Sequence, residues 1–377
     1  MEESPKTDQQ DSSRRFDRRL LWIGLGLSAL IIRFILSFSP GLTETLYSRG
    51  LFLGVRWLFD HTLTILPFPV FYLAAVFLLF GLIRWIVVSN RKNRGKSFGY
   101  RIGQFFLSLG GIIGAILFFF LFLWGFNYGR IPMEDQLSLH LEPLDSLAVL
   151  QELNWTLENT IESRYTLPGM DSTEAFEPQF DLQELELSIR ESTSQLLDEI
   201  DYPTAGRVRG RVLRPKGILA RFGTAGVYIP WIGEAHIDAG LHPLQYAYTM
   251  SHEMAHAFGV ADEGSCNFVA FRACLLSADP RVQYSAWLAH LRYLLGEYRR
   301  HLEKKEEDRG AYAAFRKTLP LAIQLDMNAI NQELEKYPDW VNGAFFNNLY
   351  LKTQGVSEGV QSYNRVVLMV KAWREQL

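Results

Sequence analysis

Long apolar stretches dominate the first third of the chain, and three of them are long enough to cross a bilayer. They cover residues 20–38, 68–88 and about 105–126, and charged side chains are rare within them. A helix needs about 20 apolar residues to cross a bilayer, so we predict three transmembrane helices in a membrane region at residues 20–126. A cleaved signal peptide is the rival interpretation of the first stretch, but no small-residue cleavage site follows its long apolar run.

Clusters of basic residues flank these stretches and predict their orientation. One cluster precedes the first stretch and the other lies between the second and the third: Arg14, Arg15, Arg18 and Arg19, then Arg91, Lys92, Arg94 and Lys96. Since cytoplasmic loops are enriched in Lys and Arg, both clusters are expected in the cytoplasm. Residues 1–19 are then a disordered cytoplasmic N-terminus, and residues 127–377 form an extracytoplasmic domain. If the first stretch does not span, the N-terminus moves outside but the domain stays there.

Residues 42–66 mix apolar and charged side chains between the first two stretches. Leu51, Val55 and Trp57 alternate with Arg56 and Asp60. This pattern favours an amphipathic helix lying in the membrane interface. The alternative is an ordinary helix packed on the extracytoplasmic domain.

The domain at residues 127–377 is mainly helical by pattern. Apolar residues recur at helical spacing over residues 144–163, 181–200, 264–276, 279–304, 309–335 and 356–376. Two stretches, residues 226–231 and 235–239, are typical of short strands. The predicted fold class is therefore mainly α: three transmembrane helices and a largely helical domain with a small β element beside the helix that opens at His242 and Pro243.

Composition changes this picture mainly by exclusion. The net charge of −3 is small and no basic stripe follows a helix, so we expect no nucleic-acid partner. The chain contains no phosphate-binding loop and no dinucleotide fingerprint, so we expect no nucleotide cofactor. Cys266 and Cys274 are about 12 Å apart along one predicted helix, too far for a disulfide. The lipid bilayer is the expected partner.

The candidate chemistry lies in the stretch His252-Glu253-Met254-Ala255-His256, which has the pattern His-Glu-x-x-His. Two histidines four residues apart share one face of a helix, where both imidazoles can bind one Zn²⁺ ion. Glu253 is then placed as a general base that activates a water molecule at the metal. Gly259 is well placed to end this helix three residues after His256.

Two neighbouring residues compete to be the third metal ligand. Asp262 lies six residues after His256, which matches the spacing of metzincin-like sites, and spacing slightly favours it. Glu263 could instead reach the metal from the first turn of the next helix. Either residue could simply cap that helix, and Asp262 is the better placed of the two for capping.

Several further residues are candidates for supporting roles. Asn267 is expected to form a hydrogen bond with a ligand or a ligand-bearing loop. Tyr228, His236 and Tyr248 are candidates for stabilising negative charge on the reacting carbonyl oxygen. The strand predicted around Tyr228 could pair with an extended substrate. The other histidines have no partner at metal-binding spacing: His61, His140, His242, His290 and His301.

Further motifs occur along most of the chain. They are Trp124-Gly125-Phe126-Asn127-Tyr128 with Arg130 and Pro132, Tyr228-Ile229-Pro230 with Glu234-Ala235, His252-Glu253-Met254-Ala255-His256 with Gly259 and Glu263, Asn267-Phe268 with Ala270, and Ser362-Tyr363 with Arg365-Val366-Val367. With the apolar N-terminal third, they make the sequence resemble a family of bacterial membrane proteins, domain of unknown function 3810, which is grouped with the zinc-dependent peptidases.

The resemblance bears on the choice of the third ligand. In the family an acidic residue recurs four positions before the Asn-Phe pair, which is Glu263 here, while the position of Asp262 is often not acidic. The resemblance therefore implies His252, His256 and Glu263 as zinc ligands, with Asp262 as the alternative. This sequence departs from the family at Ser265, where an acidic residue is frequent, and at Cys266, where Ala is usual.

These observations predict a membrane-anchored zinc metallopeptidase of the His-Glu-x-x-His type that hydrolyses a peptide or protein. A non-catalytic envelope scaffold or binding protein on the same kind of domain is the alternative. A zinc hydrolase that acts on another amide, such as a cell-wall or lipid-linked one, is a third and weaker hypothesis. Neither the motif nor the resemblance identifies the substrate.

Overall fold

The computed structural model describes residues 17–170, 173–303, 310–340 and 365–377. Its helices are α1 (Arg18–Leu36), α2 (Pro40–Leu42), α3 (Phe52–Asp60), α4 (Val70–Lys92), α5 (Phe98–Leu123), α6 (Met133–Gln136), α7 (Ser146–Tyr165), α8 (Leu182–Glu199), α9 (Tyr246–Ala257), α10 (Glu263–Leu276), α11 (Pro280–Glu303), α12 (Ala311–Thr318), α13 (Leu321–Glu335) and a C-terminal helix (Arg365–Arg374). Its strands are β1 (Gly210–Leu213), β2 (Gly226–Ile229) and β3 (Glu234–Asp238). The described chain is thus mainly helical with one small sheet, as predicted.

Three of these helices, α1, α4 and α5, are long and apolar enough to cross a membrane. Their existence was predicted, but their ends differ from the prediction. The α5 helix begins at Phe98, seven residues before the predicted residue 105, because the Ser97 hydroxyl accepts a hydrogen bond from the Tyr100 N–H and caps it. The α1 helix begins at Arg18, capped by Asp17, so the end of the predicted disordered lead-in is helical. Residues 1–16 lie outside the described residues.

The α1 and α5 helices pack closely through glycine. A Cβ atom on Gly114 would lie 2.4 Å from the carbonyl oxygen of Trp22, and one on Gly26 would lie 2.7 Å from the Gly114 Cα. Only glycine permits so close an approach of two helix backbones. Gly26 and Gly114 therefore set the close packing of α1 against α5.

The segment between α1 and α4 packs on the part of the chain that follows α5. It comprises α2, a π-helix (Thr43–Leu51) and α3. On α3, Phe59 lies against Gly233, and the Arg56 Nη1 donates to the Gly233 carbonyl oxygen at 3.1 Å. The opposite side of α3 exposes 62% of Trp57 and 51% of Leu58. One face of the segment is thus packed against the rest of the protein, as the alternative interpretation expected. The location of the other face in the membrane interface stays a prediction.

The three strands form one sheet in the order β1-β3-β2, with β1 parallel and β2 antiparallel to β3. All five residues of β3 are buried, and α9 packs on the sheet. The sequence did not predict β1. The β2 strand ends at Ile229, two residues before the predicted end, because Pro230 has no N–H to continue the ladder.

The remaining helices follow the predicted pattern with one break. The predicted helix at residues 309–335 is two helices, α12 and α13, separated at Pro320, because proline disfavours helical conformation in the residue before it. The predicted helix at residues 356–376 is described only from Arg365. A buried ion pair of 2.9 Å between Arg164 on α7 and Asp326 on α13 links two of these helices, and the Tyr284 hydroxyl donates to the same carboxylate at 2.6 Å.

Candidate metal centre

The α9 helix positions the predicted histidines in the interior of the domain. Every residue of α9 from Met250 to Ala257 is buried, because one side of the helix packs on the sheet and another on α10. After α9 the chain turns sharply at Gly259, whose φ of +96° favours glycine over other residues. The turn returns the chain along α9, so that the first residue of α10 lies beside the histidines.

Three potential ligand atoms converge at this point. The Glu263 Oε2 lies 3.1 Å from the His252 Nε2 and 3.5 Å from the His256 Nε2. One ligand atom from each of these residues lies within 4.8 Å of the others. A tetrahedral zinc ion, with bonds of about 2.0–2.1 Å, would separate its ligands by about 3.3 Å. The two distances from Glu263 are close to this value, so the three residues fit a small cation.

The outer nitrogens of both imidazoles are fixed by oxygen acceptors. The His252 Nδ1 lies 2.8 Å from the Asn267 Oδ1, and the His256 Nδ1 lies 2.9 Å from the Val260 carbonyl oxygen. Each Nδ1 must therefore carry hydrogen, which leaves the Nε2 lone pair of a neutral imidazole directed at Glu263. Three acceptor atoms then face one another, and either a cation between them or additional protons on the imidazoles would relieve their repulsion.

The Asn267 side chain is held in the orientation that this arrangement needs. Its Oδ1 lies 3.3 Å from the Tyr248 hydroxyl and 3.2 Å from the Tyr293 hydroxyl, in addition to the His252 nitrogen. These donors support the assignment of oxygen rather than nitrogen at that position. Asn267 therefore occupies the position predicted for it, in contact with a candidate ligand.

The structure separates the two competing acidic residues. Asp262 is the N-cap of α10, and its Oδ1 accepts hydrogen bonds from the Ser265 N–H at 2.8 Å and the Ser265 hydroxyl at 3.0 Å. Glu263 instead joins the two histidines. Burial raises the pKa of Glu263, but the imidazoles of His256 and His252 outweigh burial and hold the pKa below its usual value. The choice of Glu263 implied by the family resemblance agrees with this geometry, whereas the spacing argument for Asp262 does not.

Glu253 lies beside the cluster under strand β2. Its carboxylate accepts a hydrogen bond from the Tyr228 backbone N–H. A Cβ atom on Gly226 would lie 2.6 Å from the Glu253 Oε1, so only glycine leaves room for the carboxylate. Burial raises the pKa of Glu253, and the neighbouring His252 and His256 offset part of that rise. A carboxylate with a raised pKa is better suited to exchange protons near neutral pH than an ordinary one.

A cavity of about 1090 Å³ opens on the cluster and contacts His252, Glu253, His256 and Glu263. A bound metal ion would therefore keep a side that small molecules can reach. Such an open position distinguishes catalytic zinc sites from closed structural ones.

The three residues proposed to stabilise the reacting carbonyl oxygen have different positions. Tyr228 and Tyr248 line the cavity. The Tyr248 hydroxyl is engaged with Asn267. Burial raises the pKa of Tyr228, and the neighbouring Arg56 offsets part of that rise, so the Tyr228 hydroxyl lies beside Arg56. His236 does not line the cavity, because it lies within β3, where its Nε2 pairs with the Glu234 Oε2 at 3.1 Å. The structure therefore does not bring His236 to the cavity with the other two candidates.

Two residues at the site were not predicted from sequence. Tyr293 on α11 donates to Asn267, although nothing in its helical sequence pattern distinguishes it. Trp124 follows α5 directly, and its indole Nε1 donates to the His256 carbonyl oxygen at 2.7 Å while its ring packs edge-on against the His256 imidazole. Trp124 belongs to a motif that the sequence shares with the family it resembles, and this motif was the one sequence feature that could have indicated its role.

One family model matches the chain over residues 47–370, and its description is protein of unknown function (DUF3810). No curated protein matches the chain, and no solved structure does.

Proposed function

Because the chain belongs to the DUF3810 family, whose function is unknown, we propose a function from the site itself. The protein is a membrane-anchored zinc metallopeptidase with a zincin-like domain. His252, His256 and Glu263 bind Zn²⁺, and Glu253 is the general base. The domain lies on the extracytoplasmic side of the membrane.

One observation supports the metal most directly. The Nε2 atoms of both histidines and a Glu263 oxygen converge, while the Nδ1 atoms are held by Asn267 and Val260. Metal-binding histidines almost always donate their second ring nitrogen to such an oxygen. Two imidazoles and one carboxylate, with an open side, form a ligand set found in zinc hydrolases.

The residues of this chain divide the hydrolytic reaction among them. Zinc, when bound, supplies a Lewis acid that lowers the pKa of water at the open side of the site. The Glu253 carboxylate accepts a proton from the attacking water and later donates it to the leaving nitrogen. Tyr228 lines the cavity and is the candidate donor to the carbonyl oxygen.

Strand β2 supports a peptide as the substrate. It is an edge strand that lines the cavity through Gly226, Val227 and Tyr228. The Asp238 N–H donates to the Ala225 carbonyl oxygen, so the alternation of an antiparallel pair directs the backbone groups of Gly226 and Tyr228 away from β3. The Tyr228 N–H serves Glu253, which leaves the Gly226 N–H and the Tyr228 carbonyl group for an extended peptide.

The test is metal content and hydrolysis in the full-length protein, purified in detergent. We expect about one zinc ion per chain by elemental mass spectrometry. His252→Ala should lose the metal, while Glu253→Gln should keep it and lose hydrolysis of a quenched-fluorescence peptide library. His140→Ala is the matched control, because His140 is exposed and distant in sequence from the cluster.

The outcomes separate the hypotheses. A folded protein without stoichiometric metal, or full hydrolysis by Glu253→Gln, contradicts the proposed function. Stoichiometric zinc with no hydrolysis of any amide favours the non-catalytic scaffold. Iron in place of zinc would also contradict it, because two histidines and a carboxylate suit ferrous iron as well.

A further inference from the structure

The cavity at the cluster of candidate ligands, His252, His256 and Glu263, is also lined by an apolar helix that is long enough to span the membrane. Ile116, Leu117 and Phe120 of α5 line it together with the candidate ligands. The α5 helix ends at Leu123, and Ile116 lies seven residues before that end. At a rise of about 1.5 Å per residue, the cavity therefore extends about 10 Å along the terminal part of α5.

The cluster of candidate ligands lies close to the end of this same helix. Trp124 follows the last residue of α5, and its indole donates to the backbone of His256 at 2.7 Å. One side chain thus connects the end of α5 to the helix that carries the candidate ligands. The reacting bond of a substrate at the cluster must therefore lie near the level where α5 leaves the apolar phase.

The α5 wall of the cavity is continuous with a surface that no described part of the protein covers. Ile116 is 50% exposed and Phe119 is 40% exposed on the last turns of α5. Trp231, which lines the cavity from the β2–β3 turn, is 45% exposed and its ring lies 6.0 Å from that of Phe120. Tryptophan is enriched where apolar and aqueous phases meet.

A second surface places the same side of the domain at the membrane. Helix α3 packs on Gly233, in the turn that carries Trp231, through Phe59. Its opposite side presents Trp57, 62% exposed, and Leu58. An exposed apolar face on a segment that joins two apolar helices is the feature expected of a surface resting on lipid.

From these contacts we propose that the substrate is a polypeptide anchored in the bilayer by its own apolar segment. The cut lies within a few residues of that segment, on the side of the membrane that carries the domain. The apolar part of the cavity along α5 receives the residues where the substrate leaves the membrane. A polypeptide is favoured over a lipid because edge strand β2 borders the cavity beside Glu253.

This inference rests on the proposed function and adds the substrate class to it. In the reaction, the water oxygen bonds to the scissile carbonyl carbon and the carbon–nitrogen bond breaks. Glu253 transfers the water proton to the nitrogen, which leaves as an amine. Confinement of enzyme and substrate to one bilayer raises their effective concentration, so the anchored form of a given sequence should be cut faster than its soluble form.

The experiment compares two substrate libraries with the full-length protein in phospholipid vesicles. One library consists of single-span polypeptides with a randomised stretch beside the span, and the other carries the same stretch without the span. New N-termini are identified by mass spectrometry. We expect the anchored library to be cut about tenfold faster or more, beside the span, and Glu253→Gln to cut neither.

Each other result overturns a defined part of this account. Equal cutting of both libraries, or cuts far from the span, leaves a peptidase but overturns the inference. Cutting of neither library by the zinc-loaded protein contradicts the proposed function as well. Release of acyl or head-group products from the vesicles, without new N-termini, assigns the cavity to lipid and overturns the polypeptide.

A pair of variants tests the role of the α5 wall directly. Ile116→Trp fills the apolar part of the cavity and should slow cutting of the anchored library about fivefold or more, because an added side chain excludes the substrate there. Ile113→Trp is the control, since Ile113 is 48% exposed on the same helix and does not line the cavity. Equal effects of the two variants, or none, would overturn the assignment. Unchanged zinc content verifies that both variants fold.

Discussion

The two acidic residues at the start of α10 are neighbours in sequence but have different surroundings. Asp262 faces the N–H and hydroxyl of Ser265, and Glu263 faces two imidazoles. An N-cap residue has an extended backbone conformation, whereas the residue after it already has a helical one. That difference in backbone direction separates the two side chains, so the pair should respond differently to substitution.

Removing each charge should therefore affect a different property. We expect Glu263→Gln to lower zinc affinity by about a hundredfold or more, because it deletes a charged ligand. Asp262→Asn should keep full metal content, since Asn caps a helix as well as Asp does. Asp262→Ala should also keep the metal but lower the free energy of unfolding by about 1 kcal/mol. Competition with a zinc chelator and denaturant titration measure the two effects, and metal loss in Asp262→Asn would reverse the assignment.

The hydrogen bond from His252 to Asn267 makes a second prediction at this scale. Asn267→Leu keeps the branched shape of the side chain but removes the oxygen at 2.8 Å from the His252 Nδ1, so zinc affinity should fall about 10–100-fold. Cys266→Ala is the control, because the His256 Nδ1 keeps the Val260 carbonyl oxygen at 2.9 Å when the thiol is removed. A normal affinity in Asn267→Leu would show that the amide does not support the metal.

The local sequence predicts the histidine pair of this arrangement, but it does not predict the contacts that depend on how separate helices pack. His252 and His256 share a helix face at any site, so their proximity follows from spacing alone. The position of Glu263 depends on how the turn at Gly259 directs α10, which spacing did not resolve. Tyr293 reaches Asn267 from α11, and no local pattern marks a contact between residues 26 positions apart.

Strand β2 limits the space around Glu253, and Gly226 is the point of closest approach. We expect Gly226→Ala to reduce the rate of hydrolysis about tenfold or more without loss of zinc, because the added methyl group displaces the base by contact at 2.6 Å. Gly296→Ala on α11 is the control: no neighbouring atom lies within 4 Å of its added Cβ, and alanine favours helix by about 1 kcal/mol. A rate for Gly226→Ala equal to that of Gly296→Ala would contradict the role of β2.

At the level of elements, periodic patterns predicted most helices but not all element ends. Strand β1 escaped prediction because its four residues include Arg211, and it forms by pairing with β3 across 25 positions of sequence. Its identity as a strand comes from that partner and not from local preference. Pro320 indicates the break between α12 and α13, but the apolar periodicity on both sides of it predicted one continuous helix.

Over its described residues, the molecule combines three long apolar helices with a domain whose cavity meets one of them. Hydropathy alone predicts the helices, because the bilayer requirement is simple and local. The continuity of the cavity with α5 could not be predicted, since it arises from the docking of Trp124 on His256, which joins residues 132 positions apart. The basic clusters predict the orientation of the molecule in the membrane, and this prediction is open to direct measurement.

Labelling of single introduced cysteines should show that the domain and the loop between α4 and α5 lie on opposite sides of the membrane. Burial raises the pKa of Cys266 to about 12, and Cys274 is also fully buried, so neither native thiol should react. Lys96→Cys reports on the exposed loop and Glu142→Cys on the exposed domain surface. In spheroplasts, a membrane-impermeant maleimide should label Glu142→Cys at once and Lys96→Cys only after permeabilisation, because positive loops stay in the cytoplasm. The opposite pattern would place the His252, His256 and Glu263 cluster in the cytoplasm, and the proposed side of substrate cleavage would then reverse with it.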